Sequence, residues 1–198
     1  MVDLKKFRID SKQYENNNYG DVFNMFSCAF LEEGKGMEVL IEAFSLAFKN
    51  KNAILRIGGD GSLRIKLQGM IKELGMENQI FLLGALSRER VSEEMKNCKC
   101  FVLASEHETF GVVYIEALAC GKPVIGTYNG GADEIIKDYN GIIIEKRNVE
   151  KLRDALIKMK NEYKTYDENE ISEKTILSYS EKILVEKLKG VYKEVYER

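Results

Sequence analysis

Several features that mark common protein classes are scarce in this sequence. It has one histidine, and its four cysteines (Cys28, Cys98, Cys100 and Cys120) form no CxxC pair, which predicts buried reduced thiols and no zinc site. Lysine and arginine (30) nearly balance aspartate and glutamate (32), so no binding of nucleic acid is expected. No stretch approaches the roughly 20 apolar residues that span a bilayer, and no secretory signal begins the chain. We therefore expect a cytoplasmic protein.

Short apolar runs alternate about six times with longer segments of helical spacing, which predicts repeated βα units. Several runs are apolar at consecutive positions, as expected for a parallel sheet covered on both faces. The predicted strands are 22–30, 53–57, 79–83, 100–104, 123–127 and 141–144, and the predicted helices are 36–48, 63–74, 87–95, 112–119 and 149–159. The pattern indicates a doubly wound α/β domain of about six strands with helices on both faces, in which ligands bind at the carboxyl ends of the strands.

The two ends of the chain differ from this pattern. Residues 1–20 are polar, and we predict a flexible N-terminal segment there, followed by a single domain over 21–198. A polar stretch at 164–173 leads to an amphipathic segment from Tyr179 to Tyr196, which predicts a final helix. That helix packs either on this domain or on a partner domain that the chain lacks.

The segment from Ser105 to Ile125 carries the most chemical information. A buried strand ends before it, a glycine-containing turn follows, and a helix begins near Gly111. The free N–H groups and the dipole at a helix start favour an anion such as a diphosphate. Glu108 in the turn and Glu116 in the helix bracket this position, and their carboxylates suit sugar hydroxyls as donors. The segment therefore predicts a ligand with both phosphates and hydroxyls.

Glu108 and Glu116, within the framework E-x-F-G-x-x-x-x-E-A-x-A-x-G-x-P-V-I, resemble the paired-glutamate signature of the family 4 retaining GT-B glycosyltransferases. Other segments resemble the family in the same order along residues 22–160: Gly34-Lys35-Gly36 with 39–44, the glycine loop at 58–61, Leu83-Gly84 with Leu86-Ser87, and Asn129-Gly130-Gly131 with Glu134. The resemblance implies the Rossmann-like C-terminal half of a GT-B fold, which binds a nucleotide-sugar donor.

The resemblance also implies roles for individual residues. Glu108 would contact the transferred sugar, and Lys35 would neutralise charge on the leaving diphosphate, so these two are the catalytic candidates. Glu116 would accept hydrogen bonds from the ribose hydroxyls. The other donor-binding candidates are Phe110, Gly111, Val112, Gly59, Leu86, Gly130 and Gly131. The donor would be a UDP- or GDP-linked sugar, with no permanently bound cofactor and no metal, because lysine and backbone amides supply the positive field.

For the whole protein, the resemblance implies retaining transfer of a hexose to a glycan or glycolipid, with peripheral contact at the inner face of the membrane left open. Residues 1–7 are similar to the segment V-D-x-x-x-F that follows the interdomain crossover in the family. We therefore expect a missing N-terminal acceptor domain as a partner, and little activity without it.

One position departs from the family pattern and keeps alternatives open. Phe30 stands where the family usually carries an arginine that holds the diphosphate. Arg64 is a possible substitute, although a solvated surface arginine is the favoured interpretation. A catalytically inactive nucleotide-binding module therefore remains an alternative. A GT-B-like nucleotide-sugar 2-epimerase, which would act without an acceptor, is a second alternative.

Two other features are interpreted more simply. A dinucleotide fingerprint counted from Gly59 would place its third glycine at Arg64, which disfavours an oxidoreductase. His107 lies in the central turn, and we interpret it as a turn residue that faces the sugar pocket or solvent, with no role as an acid or base.

Overall fold

The computed structural model describes Leu4, residues 6–9, residues 20–180 and four later positions, 183, 185, 189 and 192. Within this part of the chain, strands and helices alternate. The strands are β1 (Phe23–Cys28), β2 (Ala53–Gly58), β3 (Ile80–Gly84), β4 (Cys100–Val102), β5 (Val124–Thr127) and β6 (Gly141–Ile144). The helices are α1 (Met37–Phe48), α2 (Arg64–Glu73), α3 (Arg88–Asn97), α4 (Val112–Ala119), α5 (Gly131–Ile135), α6 (Val149–Glu162) and α7 (Glu168–Tyr179), with a 3-10 turn at Tyr163–Thr165.

The six strands form one sheet in the order β3-β2-β1-β4-β5-β6, and every neighbouring pair is parallel. Helix α1 packs against α6 and α2, whereas α4 packs against α3 and α7. The predicted doubly wound sheet of six strands with helices on both faces is therefore confirmed. The strand order changes direction between β1 and β4, so a crevice forms between the carboxyl ends of these two strands.

The centre of the sheet is packed with aromatic side chains. The rings of Phe26 and Phe101 lie edge to face with centroids 6.1 Å apart, and Phe101 meets Tyr114 of α4 at 6.0 Å. The Tyr114 hydroxyl donates to the Leu103 carbonyl at 2.9 Å, and burial raises the pKa of this phenol. A satisfied polar group inside an apolar core fixes α4 against β4, and both elements lead into the crevice.

All six predicted strands are present, but β1, β4 and β5 are shorter than predicted, β5 by one residue. Strand β1 ends at Cys28, although the apolar run continues to Phe30. Phe30 lies in the following loop and is 76% exposed. Strand β4 ends at Val102, although the Leu103 amide still donates to the Ile125 carbonyl at 3.0 Å. An apolar run alone does not reveal where a strand becomes a loop that carries a site.

The polar stretch at 164–173 contains the start of helix α7, which begins at Glu168 and was not predicted from the sequence. The Asp167 side chain caps it by accepting the amides of Asn169 at 2.9 Å and Glu170 at 3.1 Å. The buried face of α7 includes two small polar residues, Ser172 and Thr175. The apolar pattern of the sequence did not predict this helix, because two of its buried residues are polar. Their hydroxyls are buried with hydrogen bonds to backbone carbonyls.

The predicted flexible segment at 1–20 and the predicted final helix from Tyr179 to Tyr196 lie largely outside the described residues, so these boundaries stay predictions. In the described part of the chain, no helix is both long and apolar enough to cross a membrane. All four cysteines are described and are free thiols. Three of them are buried, as predicted, and Cys28 at the end of β1 is partly exposed.

Candidate functional site

Lys35 and Glu108 meet across the crevice at the centre of the sheet edge. Lys35 lies in the loop after β1, and Glu108 lies in the turn after β4. The Lys35 Nζ donates to Glu108 Oε1 at 2.8 Å, and the two side chains are 28% and 17% exposed. The two predicted catalytic residues are therefore adjacent, at the point where an α/β sheet of this topology binds ligands.

The loop that carries Lys35 is packed tightly against β4. Gly36 begins α1 with a φ of 68°, and a Cβ at this position would collide with the carbonyl of Ala104. The Gly34 carbonyl accepts the Glu106 amide at 2.8 Å and the Ser105 hydroxyl at 3.3 Å. Glycine at position 36 thus allows the lysine loop to approach the glutamate turn.

Helix α4 starts beside Glu108. Gly111 precedes the helix with a φ of 65°, and the Ile115 amide makes the first helical bond to its carbonyl at 3.4 Å. The N–H groups of the first turn therefore point along the helix axis into the crevice, with the positive end of the helix dipole. Phe110 and Val112 flank Gly111, and both are exposed.

The turn after β5 closes this side of the site. The Glu108 amide donates to the Asn129 carbonyl at 3.1 Å. A Cβ on Gly131 would lie 2.8 Å from the Gly111 nitrogen and 2.9 Å from the Glu108 carbonyl oxygen. The Asn129 side chain fixes the turn by accepting the Ala132 amide at 2.9 Å. The candidates Gly130 and Gly131 therefore lie against the start of α4.

Gly59 and Leu86 lie at the same edge of the sheet, on the side of β2 and β3. The Gly59 amide donates to the Gly84 carbonyl at 2.8 Å. A Cβ on Gly58 would lie 2.6 Å from Cδ1 of Leu86, so the loop after β3 folds directly over the glycine loop. Gly59 and Leu86 therefore belong to two loops that contact each other.

Glu116 links the two sides of the site through a residue that sequence reasoning missed. Arg88, at the first position of α3, donates to both carboxylate oxygens of Glu116, with Nη1 to Oε2 at 3.2 Å. The Glu116 side chain is 2% exposed, whereas that of Arg88 is 54% exposed. Burial raises the pKa of the Glu116 carboxyl, and the Arg88 guanidinium opposes this rise. The available signal for Arg88 was its position two residues after Leu86, at a helix start.

Two more cations near the turn after β4 were also missed. Arg147, in the loop after β6, pairs with the Glu106 carboxylate and lowers the pKa of that carboxyl. The Lys146 Nζ lies 3.5 Å from the Glu106 carbonyl oxygen. His107 is exposed between Glu106 and Glu108, which agrees with its interpretation as a turn residue. The loop after β6 therefore brings positive charge toward the crevice.

Arg64 is not the solvated surface residue that we expected. Its side chain is 31% exposed, and its Nη1 lies 3.6 Å from Asp60 Oδ2. A Cβ on Gly84 would meet the same nitrogen at 3.5 Å, so Arg64 packs beside the loops after β2 and β3.

The described residues contain no group of three or more His, Cys, Asp or Glu side chains that could hold a metal ion.

A family model described as glycosyl transferases group 1 matches residues 9–175. The chain belongs to this family. This assignment confirms the expectation of a glycosyltransferase domain, and the fold is that of one half of a GT-B enzyme. The candidate residues after β1, β4 and β5 all lie within the matched part of this group 1 glycosyltransferase.

The chain is similar to three known proteins over most of its length. The chain is 34% identical over 186 residues to an uncharacterized glycosyltransferase of Methanocaldococcus jannaschii, covering 91% of this chain and 49% of that protein. A mutant of S. aureus TarM, in complex with Fondaparinux, alpha-GlcNAc-glycerol and UDP, superposes with a TM-score of 0.75 at 26% identity, covering 85% of this chain and 35% of that one. The C-terminal domain of a group 1 glycosyltransferase (LpcC) from Francisella tularensis superposes with a TM-score of 0.77 at 20% identity, covering 90% and 97%.

Proposed function

We propose that this group 1 glycosyltransferase domain binds a UDP- or GDP-linked sugar at the carboxyl edge of its sheet. In the whole protein, the hexose is transferred with retention to a glycan or glycolipid acceptor. The observation that carries the proposal is the meeting of Lys35 and Glu108 at the switch point of the sheet, beside the start of α4. A cation, a carboxylate and a set of free backbone amides together suit a ligand with phosphates and sugar hydroxyls.

The diphosphate binds at the start of α4 in this proposal. The amides near Gly111 provide donors, and Phe110 and Val112 are exposed on either side of it. Lys35 lies within 2.8 Å of Glu108, which is three residues before Gly111, so its ammonium is close enough to share the phosphate charge. Fixed donors aimed at developing negative charge are the main catalytic contribution when a nucleoside diphosphate leaves. No metal is required for this step.

Glu108 orients the transferred sugar, and Glu116 accepts the ribose hydroxyls. Glu108 is partly exposed toward the crevice, so a hexose hydroxyl can donate to it when Lys35 turns to the diphosphate. Glu116 is buried, which raises the pKa of its carboxyl, and the Arg88 guanidinium opposes this rise by favouring the charged form. A charged buried carboxylate is a strong acceptor for two adjacent hydroxyls.

A solved relative supports a nucleotide-linked donor for this domain. The solved complex of S. aureus TarM contains UDP and alpha-GlcNAc-glycerol. Because this chain spans only 49% of the M. jannaschii relative, we propose that the acceptor is held by a further N-terminal domain of the whole protein. The intact enzyme would work in the cytoplasm, with peripheral contact at the membrane if its acceptor is a lipid.

Calorimetric titration of the chain with UDP, GDP and ADP tests the donor site. We expect one nucleotide to bind, and Glu116→Ala to weaken that binding by about tenfold or more, because hydrogen bonds to a buried charge are worth roughly 1.5–3 kcal/mol. Glu42→Ala, at an exposed position of α1, is the matched control and leaves binding unchanged. The proposal fails if no nucleotide binds, or if the two variants behave alike.

A further inference from the structure

The ion pair between Arg88 and Glu116 has a consequence for how a nucleotide enters the site. Both carboxylate oxygens of Glu116 accept hydrogen bonds from the Arg88 guanidinium. The same carboxylate is 2% exposed, so a ribose hydroxyl cannot reach it from solvent in this arrangement. The residue that the proposed function needs for ribose binding is therefore already covered by a cation.

Arg88 is the member of the pair that can move. Its side chain is 54% exposed, and it projects from the first position of α3, directly after the Ser87 cap. Its guanidinium lies 5.0 Å from the centre of the Phe7 ring, which offers a cation–π contact. Glu116, by contrast, projects from the buried side of α4 and has no open side to move into. Opening the pair therefore means moving the arginine.

We propose that Arg88 controls access to the ribose subsite by covering the Glu116 carboxylate until a nucleotide displaces it. The inference rests on the proposed function, because it assumes that Glu116 receives the ribose. Two vicinal hydroxyls present two donors to the two carboxylate oxygens, so they replace the guanidinium bond for bond. A free phosphate or a diphosphate without ribose does not offer this exchange. The ion pair thus favours a complete nucleotide over smaller anions.

The cost of displacing Arg88 lowers the apparent affinity for the nucleotide. When the binding-competent arrangement is only partly populated, the dissociation constant rises by the inverse of that population. A pair that is closed about nine-tenths of the time lowers affinity about tenfold. Removing the guanidinium therefore strengthens nucleotide binding, whereas the removal of a phosphate-binding arginine would weaken it.

The experiment compares Arg88→Met and Arg88→Lys with the wild-type chain, by calorimetric titration with UDP, GDP and ADP at about pH 8, where carboxylates are ionised. We expect Arg88→Met to bind the preferred nucleotide about tenfold more tightly, and Arg88→Lys to show a smaller gain because lysine cannot form the bidentate pair. Arg90→Met is the matched control, since Arg90 lies on the same helix, is equally exposed at 54%, and pairs with Glu93 and Glu94. Its nucleotide affinity stays at the wild-type value.

Two further measurements distinguish this control of access, called the Arg88 gate below, from other roles of Arg88. In the Glu116→Ala background, Arg88→Met gives no gain, because nothing remains to uncover. Titration with inorganic pyrophosphate, which lacks ribose, shows no gain in Arg88→Met either. Circular dichroism shows whether each variant is folded. If Arg88→Met is not folded, the comparison of Arg88→Lys with the wild-type chain is used as the test.

The outcomes distinguish this inference from the proposed function. If the wild-type chain binds a nucleotide and both Arg88 variants bind it equally or more weakly, the gate is wrong and the donor site stands. Weaker binding of pyrophosphate by Arg88→Met would show that Arg88 holds phosphate, which also overturns the gate. If neither the wild-type chain nor any Arg88 variant binds any of the three nucleotides, the donor site itself is rejected. Binding that appears only in Arg88→Met supports both.

Discussion

The carbonyl oxygen of Gly34 accepts a hydrogen bond from the backbone amide of Glu106 at 2.8 Å. This bond joins the loop after β1 to the turn after β4, across the switch point of the sheet. It lies within two residues of both Lys35 and Glu108, so the spacing of these two residues is set by backbone contacts as well as by their side chains. The crevice is thus a preformed feature of the fold.

Substitution of Gly36 tests how closely these two segments must approach. Gly36→Ala combines a left-handed φ of 68° with a Cβ that would collide with the Ala104 carbonyl. We expect it to lower the free energy of unfolding by about 3 kcal/mol or more, measured by urea denaturation. Gly34→Ala is the control, because its φ is also left-handed at 80° but its Cβ meets nothing within 4 Å. Its cost is about 1–2 kcal/mol, and equal costs would mean that close approach is unimportant.

Lys35→Met tests the proposed charge stabilisation in the whole enzyme. With the donor that calorimetry identifies, we expect the turnover number to fall by about 100-fold or more, because a fixed cation no longer faces the leaving diphosphate. The Michaelis constant for the donor changes less. Lys66→Met is a suitable control, since Lys66 also pairs with a glutamate at 2.8 Å but is 67% exposed on α2. Normal turnover in Lys35→Met would remove this lysine from the mechanism.

The sequence predicted the sheet, and it predicted most residues of the candidate site, because the relevant signals are local. Apolar runs mark the strands, and glycines mark the tight turns that bring Lys35 and Glu108 to the sheet edge. The Arg88–Glu116 pair joins residues 28 positions apart on two helices, and no local pattern specifies such a partner. Helix α7 was missed because Ser172 and Thr175 are polar, and only tertiary packing reveals that they are buried.

The Ser172 hydroxyl should hold α7 on the domain. It donates to the Ala119 carbonyl at 2.7 Å in a buried contact between α7 and the end of α4. Ser172→Ala should lower the free energy of unfolding by about 1–2 kcal/mol, because it leaves a buried carbonyl without this donor. Ser178→Ala, on the exposed side of the same helix, removes a similar bond to the Lys174 carbonyl and should change stability by less than about 0.5 kcal/mol. Chemical denaturation of the pair measures the difference, and equal effects would contradict a docking role for Ser172.

The loss in the free energy of unfolding that Arg88→Met causes should be larger at high pH than at low pH, because Arg88 stabilises the charged form of Glu116. Burial raises the pKa of Glu116 in the folded state, so the folded chain loses stability as pH rises from the ordinary glutamate range through that raised pKa. Arg88 limits this loss by stabilising the charged form. Without Arg88 the pKa rises further, and the variant should be about 1–2 kcal/mol less stable than wild type at about pH 8, a reduced cost because Arg88 is half exposed. Near about pH 4 Glu116 is protonated in both proteins, and the difference should shrink.

Urea denaturation of both proteins at the two pH values measures this effect. Cys28 lies near the pair, but burial raises the pKa of its thiol to about 11, so it stays neutral throughout. In a Glu116→Gln background the cost of Arg88→Met should no longer vary with pH. A cost that is the same at both pH values in the Glu116 protein would show that the arginine does not stabilise the carboxylate charge.

Phe30→Arg should strengthen binding of the nucleotide diphosphate. Phe30 stands where the glycosyltransferase family that the sequence resembles usually carries an arginine. It lies after β1, five residues before Lys35, and it is 76% exposed. Arginine can replace it with little loss of buried apolar area, and a second cation adds a favourable interaction with the diphosphate. We expect roughly three- to tenfold tighter binding by calorimetry, with a gain that decreases as salt is raised. Leu46→Arg adds the same charge at a 57% exposed position of α1, ten residues from the Gly36 end and about 15 Å along the helix, and should not change affinity. Equal gains in the two variants would indicate general attraction of the anion by net charge and would remove position 30 from the diphosphate site.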